Sequence, residues 1–193
     1  MSKDKIEIAA YNPVWKDQFE ELKNVYALYL KDIVKGIEHV GSTAVPGLAA
    51  KPVLDIDLVI DNETKLQKVI SVLTGLGYEF RGDLGIKDRY AFRANSIATP
   101  NTGTHQAWPK HHLYCCIANS VSLNNHLTLR NALRADPTLR IEYDQLKKDL
   151  ANATTDMEVY IEGKSDFIAK VLSQNGLAMS EIEDIIKQNL KKN

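Results

Sequence analysis

The chain is poor in cysteine. Its two thiols, Cys115 and Cys116, are adjacent, and neighbouring residues are badly placed for an unstrained disulfide. A disulfide framework is therefore excluded, and a reducing, cytoplasmic setting is expected. Long apolar runs are also missing: none approaches the roughly 20 residues of a membrane span, so no membrane association is expected. The opening residues, Met1 to Lys5, lack the apolar core of a signal peptide. No sign of charge dominates, because 24 Lys and Arg face 25 Asp and Glu, a net charge of −1. That argues against a nucleic-acid partner held by long-range attraction, so any anion site must be a local cluster. Repeats and low-complexity segments are absent too.

What is present is an ordinary globular composition. With 193 residues, 44% of them hydrophobic, the chain can bury one real core. Ile6 and Ile8 alternate with polar residues and predict a short first strand. Asn12-Pro13 reads as a cap and first helical residue. A helix to about Lys31 follows, with Trp15, Phe19, Leu22, Tyr26 and Ile33 on one face. Strands are predicted at 37–40, 53–60, 78–80, 89–93 and 112–117, with a helix over 63–76. Beyond residue 120 the pattern turns helical: 123–134, 137–150, 157–172 and a tail helix over 181–190 carrying Ile182, Ile186 and Leu190. The expectation is an α+β domain over residues 1–175, a mixed sheet flanked by helices with a helical C-terminal half. The tail, 176–193, packs either on that domain or on a partner, a homodimer included.

The chemistry concentrates between Gly41 and Asp57. Leu54, Ile56 and Leu58 alternate with Asp55, Asp57 and Val59, so a strand sends both carboxylates to one face. Two such acids repel unless a cation lies between them. Magnesium suits them, since it takes one or two carboxylates plus substrate phosphates. The Gly41-Ser42 turn can bring backbone N–H groups to a phosphate. Those are the parts of nucleotidyl transfer: a turn for the triphosphate and two aspartates for metal. An isolated Asp-x-Asp would instead read as two solvated acids. A P-loop is disfavoured, because Gly47 precedes Leu48 and Lys51 precedes Pro52, not a contiguous Gly-Lys-Ser/Thr.

These motifs resemble the GrpB family (UPF0157). The resemblance spans nearly the whole chain. It includes Tyr11-x-Pro13-x-Trp15, the run from Glu38 to Leu48, Ala50-Lys51-Pro52, Asp55-x-Asp57, Arg81-Gly82-x-x-Gly85 and Arg89. His112-Leu113-Tyr114, Arg130, Leu133-Arg134, Asp136-Pro137, Tyr143, Leu146-Lys147, Tyr160 and Glu162-Gly163-Lys164 complete it. It implies a nucleotidyltransferase-type mixed sheet. In some bacteria a similar domain follows dephospho-coenzyme A kinase, and no established reaction comes with the family name.

Active nucleotidyltransferases usually carry a third carboxylate on a later strand. Here that strand reads His111 to Ile117 without an acid, and alternation places His112 and Tyr114 on one face. Either His112 serves as base or metal ligand, or the third acid is lost and the domain only binds. Glu79 and Asp83 are remoter substitutes. The expected catalytic set is Asp55, Asp57 and His112, with Asp55 and Asp57 holding magnesium. Phosphate falls to Gly41, Ser42, Lys51, Arg81, Gly85, Arg89, Arg130 and Lys164. The partner is a nucleoside triphosphate or a phosphorylated small molecule. His126, Arg130 and Arg134 recur at i, i+4, a row that reads by default as solvated. His39 is expected to position the glycine turn, and Trp15, Tyr26 and Tyr143 to lie in the core. Contiguous Cys115-Cys116 lacks the spacing of zinc ligands.

Overall fold

A computed structural model describes residues 5–104 and 107–190, the last three without their side chains. Residues 1–4 of the segment read above as lacking a signal peptide, and the Leu190 side chain, lie outside the described residues. Helix α1 spans Val14–Leu30. Its start is fixed by Asn12, whose Oδ1 accepts from the Val14 N–H at 3.1 Å. Trp15, Phe19, Leu22, Tyr26 and Leu30 form its buried stripe, so Leu30 closes it where Ile33 was expected.

Five strands form one sheet: β1 (Gly36–Val40), β2 (Leu54–Ile60), β3 (Tyr78–Phe80), β4 (Arg89–Ala94) and β5 (His111–Ile117). Their spatial order is β1-β2-β5-β4-β3, with β2 and β5 parallel and all other pairs antiparallel. The expected α+β class, a mixed sheet with a helical C-terminal half, is the one observed. After β2 come a short 3₁₀ turn and α2 (Leu66–Gly75). After β5 come α3 (Val121–Ala135), α4 (Pro137–Ala153), α5 (Met157–Glu162), α6 (Ser165–Gln174) and α7 (Met179–Leu190). None of the described helices is long and apolar enough to cross a membrane.

The two faces of the sheet differ in kind. On one, Leu54, Ile56, Leu58, Ile60, Leu113 and Cys115 pack under α1 and α2 in the main core. Burying each such side chain contributes about 1.5–3 kcal/mol. On the other face register sets Asp55 beside His112, Asp57 beside Tyr114, and Cys116 beside Arg89. Helix α3 packs against this second face, where Leu123 meets Val59 and Cys116. The adjacent thiols thus point to opposite sides and are both free and buried. Burial raises both thiol pKa values.

Two expectations about elements fail. The strand at Ile6 and Ile8 is a single bridge, Ala9 to Ala50, closed by two 2.9 Å hydrogen bonds. Extending that ladder would next pair Glu7 with Pro52, which has no N–H to donate. The helix over 157–172 is two helices broken at Gly163-Lys164. A Cβ on Gly163 would lie 2.5 Å from Leu150 Cδ2, so the glycine lets α5 and α4 close together at the cost of helix continuity. The tail helix folds back on α6 and α3, with Ile182 buried there. Ile182 thus packs on the chain's own helices.

Candidate functional site

β1 ends at Gly41, which has φ +70°. A Cβ there would collide with Asp55 Oδ2 and lie 3.0 Å from its Cγ. Both the left-handed backbone and the close approach require glycine. The chain then makes a 3₁₀ turn, Ser42–Ala44. His39 secures it: Nε2 lies 3.0 Å from Thr43 Oγ1, and the ring stacks on Phe19 with centroids 4.6 Å apart. Burial lowers the His39 pKa to about 4, so the imidazole is neutral near pH 7, as a positioning group should be.

The α3 row is not solvated. His126 Nδ1 donates to Asp57 Oδ2 at 2.7 Å. Arg130 Nη1 donates to Glu38 Oε2 at 2.7 Å and to the His39 carbonyl at 2.9 Å. Arg134 Nε and Nη2 both donate to the Ala44 carbonyl, at 2.9 and 2.7 Å. One helical face therefore ties together β2, β1 and the glycine turn. The row is polar because the surface beneath it is polar. Arg130 is committed to Glu38 and backbone rather than left open for phosphate.

The two aspartates sit in unlike surroundings. The Asp55 side chain is 33% exposed and accepts from His112 Nδ1 at 2.9 Å. Asp57 is fully buried, and among the described residues its Oδ1 has no hydrogen-bond partner. An orphaned buried oxygen normally has a missing partner to explain it, and a cation is one that a carboxylate can use. No group of three or more His, Cys, Asp or Glu able to hold a metal occurs among the described residues. The donor set thus fits magnesium only in the form expected, two carboxylates completed by substrate phosphates and water.

A cavity of about 200 Å³ opens beside these groups, lined by Ser42, Lys51, Asp55, His112, Lys147 and Lys164 among others. Pattern alone gives Lys147 no role, although it lies one turn from Tyr143 on α4. It is almost fully buried, donates to Ser42 Oγ at 3.2 Å and to the Ala49 carbonyl, and has its Nζ 5.0 Å from the Tyr143 ring. Burial lowers its pKa to about 7. Lys164 Nζ lies 4.3 Å from the Tyr160 ring, and burial lowers its pKa to about 8, opposed by the nearby Asp55 charge. Burial disfavours the charged form of both lysines, and a bound anion would favour it.

Other expected residues lie elsewhere. Arg81 is exposed and donates to Glu79 Oε1 at 3.0 Å. The Gly85 N–H donates to Asp83 Oδ1 at 2.9 Å within its own turn. None of these four lines the cavity. Arg89 shares the acid-bearing face but stands further along it, its Cζ 4.5 Å from the Tyr114 ring. The core aromatics behave as core: Tyr26 and Tyr78 hydroxyls meet at 2.6 Å, and Tyr78 meets His111 Nε2 at 2.6 Å.

Comparison with known proteins follows the same outline. The model of the GrpB protein family matches residues 5–174. The UPF0157 protein YqkA of Bacillus subtilis is 32% identical over 86% of this chain and 46% of its own length; the chain spans about half of that relative. The UPF0157 protein PA4798 of Pseudomonas aeruginosa is 33% identical over 89% of this chain and 68% of its own. The crystal structure of conserved protein GrpB from Enterococcus faecalis superposes with a TM-score of 0.74 at 32% identity, covering 88% of this chain and 96% of that one. A structure of the Cid1 poly(U) polymerase overlaps at a TM-score of 0.47 and 14% identity, over 69% of this chain and 41% of that chain, a likeness too slight to bear on this chain. With the family match covering the glycine turn, the acid-bearing strand and all three tethers from α3, the chain belongs to the GrpB family.

Proposed function

We propose that this site binds a nucleoside triphosphate with magnesium and transfers its nucleotidyl group to a small hydroxyl- or phosphate-bearing acceptor. On this reading the fold is nucleotidyltransferase-type. The observation that carries it is the contact between Gly41 and Asp55. The turn suited to phosphate and the carboxylate suited to metal meet within one side chain's length, and three lysines line the same cavity. The free buried thiols suit the reducing, cytoplasmic compartment expected.

The chain's own groups divide the work. Ser42 and the turn hold phosphate oxygens. Lys51, Lys147 and Lys164 neutralise them. Asp55 and Asp57 hold magnesium, which when bound supplies charge neutralisation and alignment. Asp55 accepts from His112 Nδ1, which leaves the lone pair of the neutral ring on Nε2. That nitrogen takes the acceptor hydroxyl's proton while the acceptor oxygen bonds to the α-phosphorus and pyrophosphate leaves.

A second reading is a module that binds nucleotide without turnover. It is favoured by one observation: Asp57 is wholly enclosed and already bonded to His126. Calorimetry of nucleoside triphosphates with and without magnesium, on wild type and Asp55→Ala/Asp57→Ala, tests the site. Binding that ignores both magnesium and the substitutions rejects the metal assignment. Magnesium-dependent binding without pyrophosphate release across an acceptor panel selects the second reading.

A further inference from the structure

A second cavity, about 320 Å³, lies between β4, α3, α6 and α7. It is at the small end of the ligand-pocket range of about 300–1,000 Å³. Its walls are largely aliphatic, from Leu129, Ile168, Leu172, Ile182, Ile185 and Ile186. Arg89 lines it from the sheet. The residue is only 7% exposed, and among the described residues its Nε and Nη2 have no hydrogen-bond partner. Its guanidinium stands over the Tyr114 ring, which orients it without satisfying those N–H groups. Leaving a buried, unpaired cation is strongly unfavourable. An ionic oxygen pair is the group that a guanidinium's two parallel N–H donors fit best.

We infer that this cavity binds a small amphipathic anion, a carboxylate or phosphate monoester on an aliphatic body, with its head on Arg89 and its body under α7. Ser122, Asn125 and Ser165 also line the space and add polar groups to it. Lys87, Asp88, His126, Lys164 and Asp184 are the further titratable groups lining it. Lys164 and Ile161 line both cavities, so the two are neighbours. Binding in this cavity does not rest on the nucleotidyl-transfer reading.

The test uses the full chain without nucleotide. Octanoate, octyl phosphate and uncharged octanol are titrated by calorimetry. Saturable binding of one or both anions, at least about tenfold tighter than octanol, is expected, and the two anions distinguish carboxylate from phosphate ester. Arg89→Met should weaken the preferred anion about tenfold or more. Because that substitution touches a buried position, Ile168→Trp provides a second check: it fills the apolar end, keeps the arginine, and should abolish binding. Failure of both anions to bind, octanol binding as well as the anions, or unchanged binding in both variants overturns the inference. Nucleotide binding to wild type, measured apart, decides the earlier reading on its own.

Discussion

The two faces of β2 show what each kind of burial is for. One face presents Leu54, Ile56, Leu58 and Ile60 to α1 and α2, a dry layer with nothing to satisfy. The other presents Asp55 and Asp57 two residues apart, each held by an imidazole from a different element. The apolar face gains stability from every atom it hides. The polar face hides a carboxylate oxygen, two guanidinium N–H groups and a lysine at a cost. Such groups, without full internal satisfaction, are the ones that the proposed ligands would complete.

The largest effect should come from the dry face. Ile56→Ala is expected to lower unfolding free energy by about 2–5 kcal/mol, read from urea titration, with nucleotide affinity of the folded fraction retained. Next, Gly41→Ala forces a side chain into a left-handed backbone position, worth about 1–3 kcal/mol, and against Asp55. Nucleotide affinity should fall by roughly 10- to 100-fold. A retained affinity would remove the turn from the site.

Lys147→Met sharpens the contrast directly. If the polar face serves a ligand, phosphate affinity falls about tenfold, with stability lost only as far as the Ala49 carbonyl and Ser42 hydroxyl are left unpaired. Loss of stability with affinity intact would make Lys147 a structural residue. Its pKa near 7, and that of Lys164 near 8, also set a sign. An anion favours the charged lysines, so binding above pH 8 should take up protons and weaken as pH rises. Calorimetry in buffers of differing ionisation enthalpy reads that uptake. Binding without proton uptake removes these two lysines from the anion's contacts.

The smallest effect concerns His39. Its folded pKa of about 4 lies below the unfolded value of about 6.5. The unfolded chain therefore binds more protons between those values, and stability should fall as pH drops from about 6.5 towards 4. His39→Gln should flatten that slope in a pH series of thermal melts; an unchanged slope would reject the assignment.

Much of the architecture was legible because apolar periodicity reports directly on a dry interface. Alternation in β2 and the 3.6-residue stripe of α1 both face such an interface. The polar face was harder for the same reason. His126 and Arg134 read as solvated, and Arg130 as a phosphate ligand, because pattern analysis assumes that a buried surface is apolar. Here the helix lies on carboxylates and carbonyls, so its buried row is cationic. Lys147 escaped notice similarly, since one lysine beside an apolar stripe ordinarily snorkels outward. Arg81 and Gly85 belong to a motif of the family resemblance, and a shared motif does not say which way a turn faces.

The three tethers of α3 also impose a phase. An α-helix turns about 100° per residue, and the tethers at 126, 130 and 134 need one common orientation. A single residue inserted between Asn124 and His126 would rotate all three away from Asp57, Glu38 and Ala44 together. An insertion after Arg130 would spare the first two and release only the glycine turn. The helix is thus an angular key whose teeth disengage from the C-terminal end first, one structural element at a time.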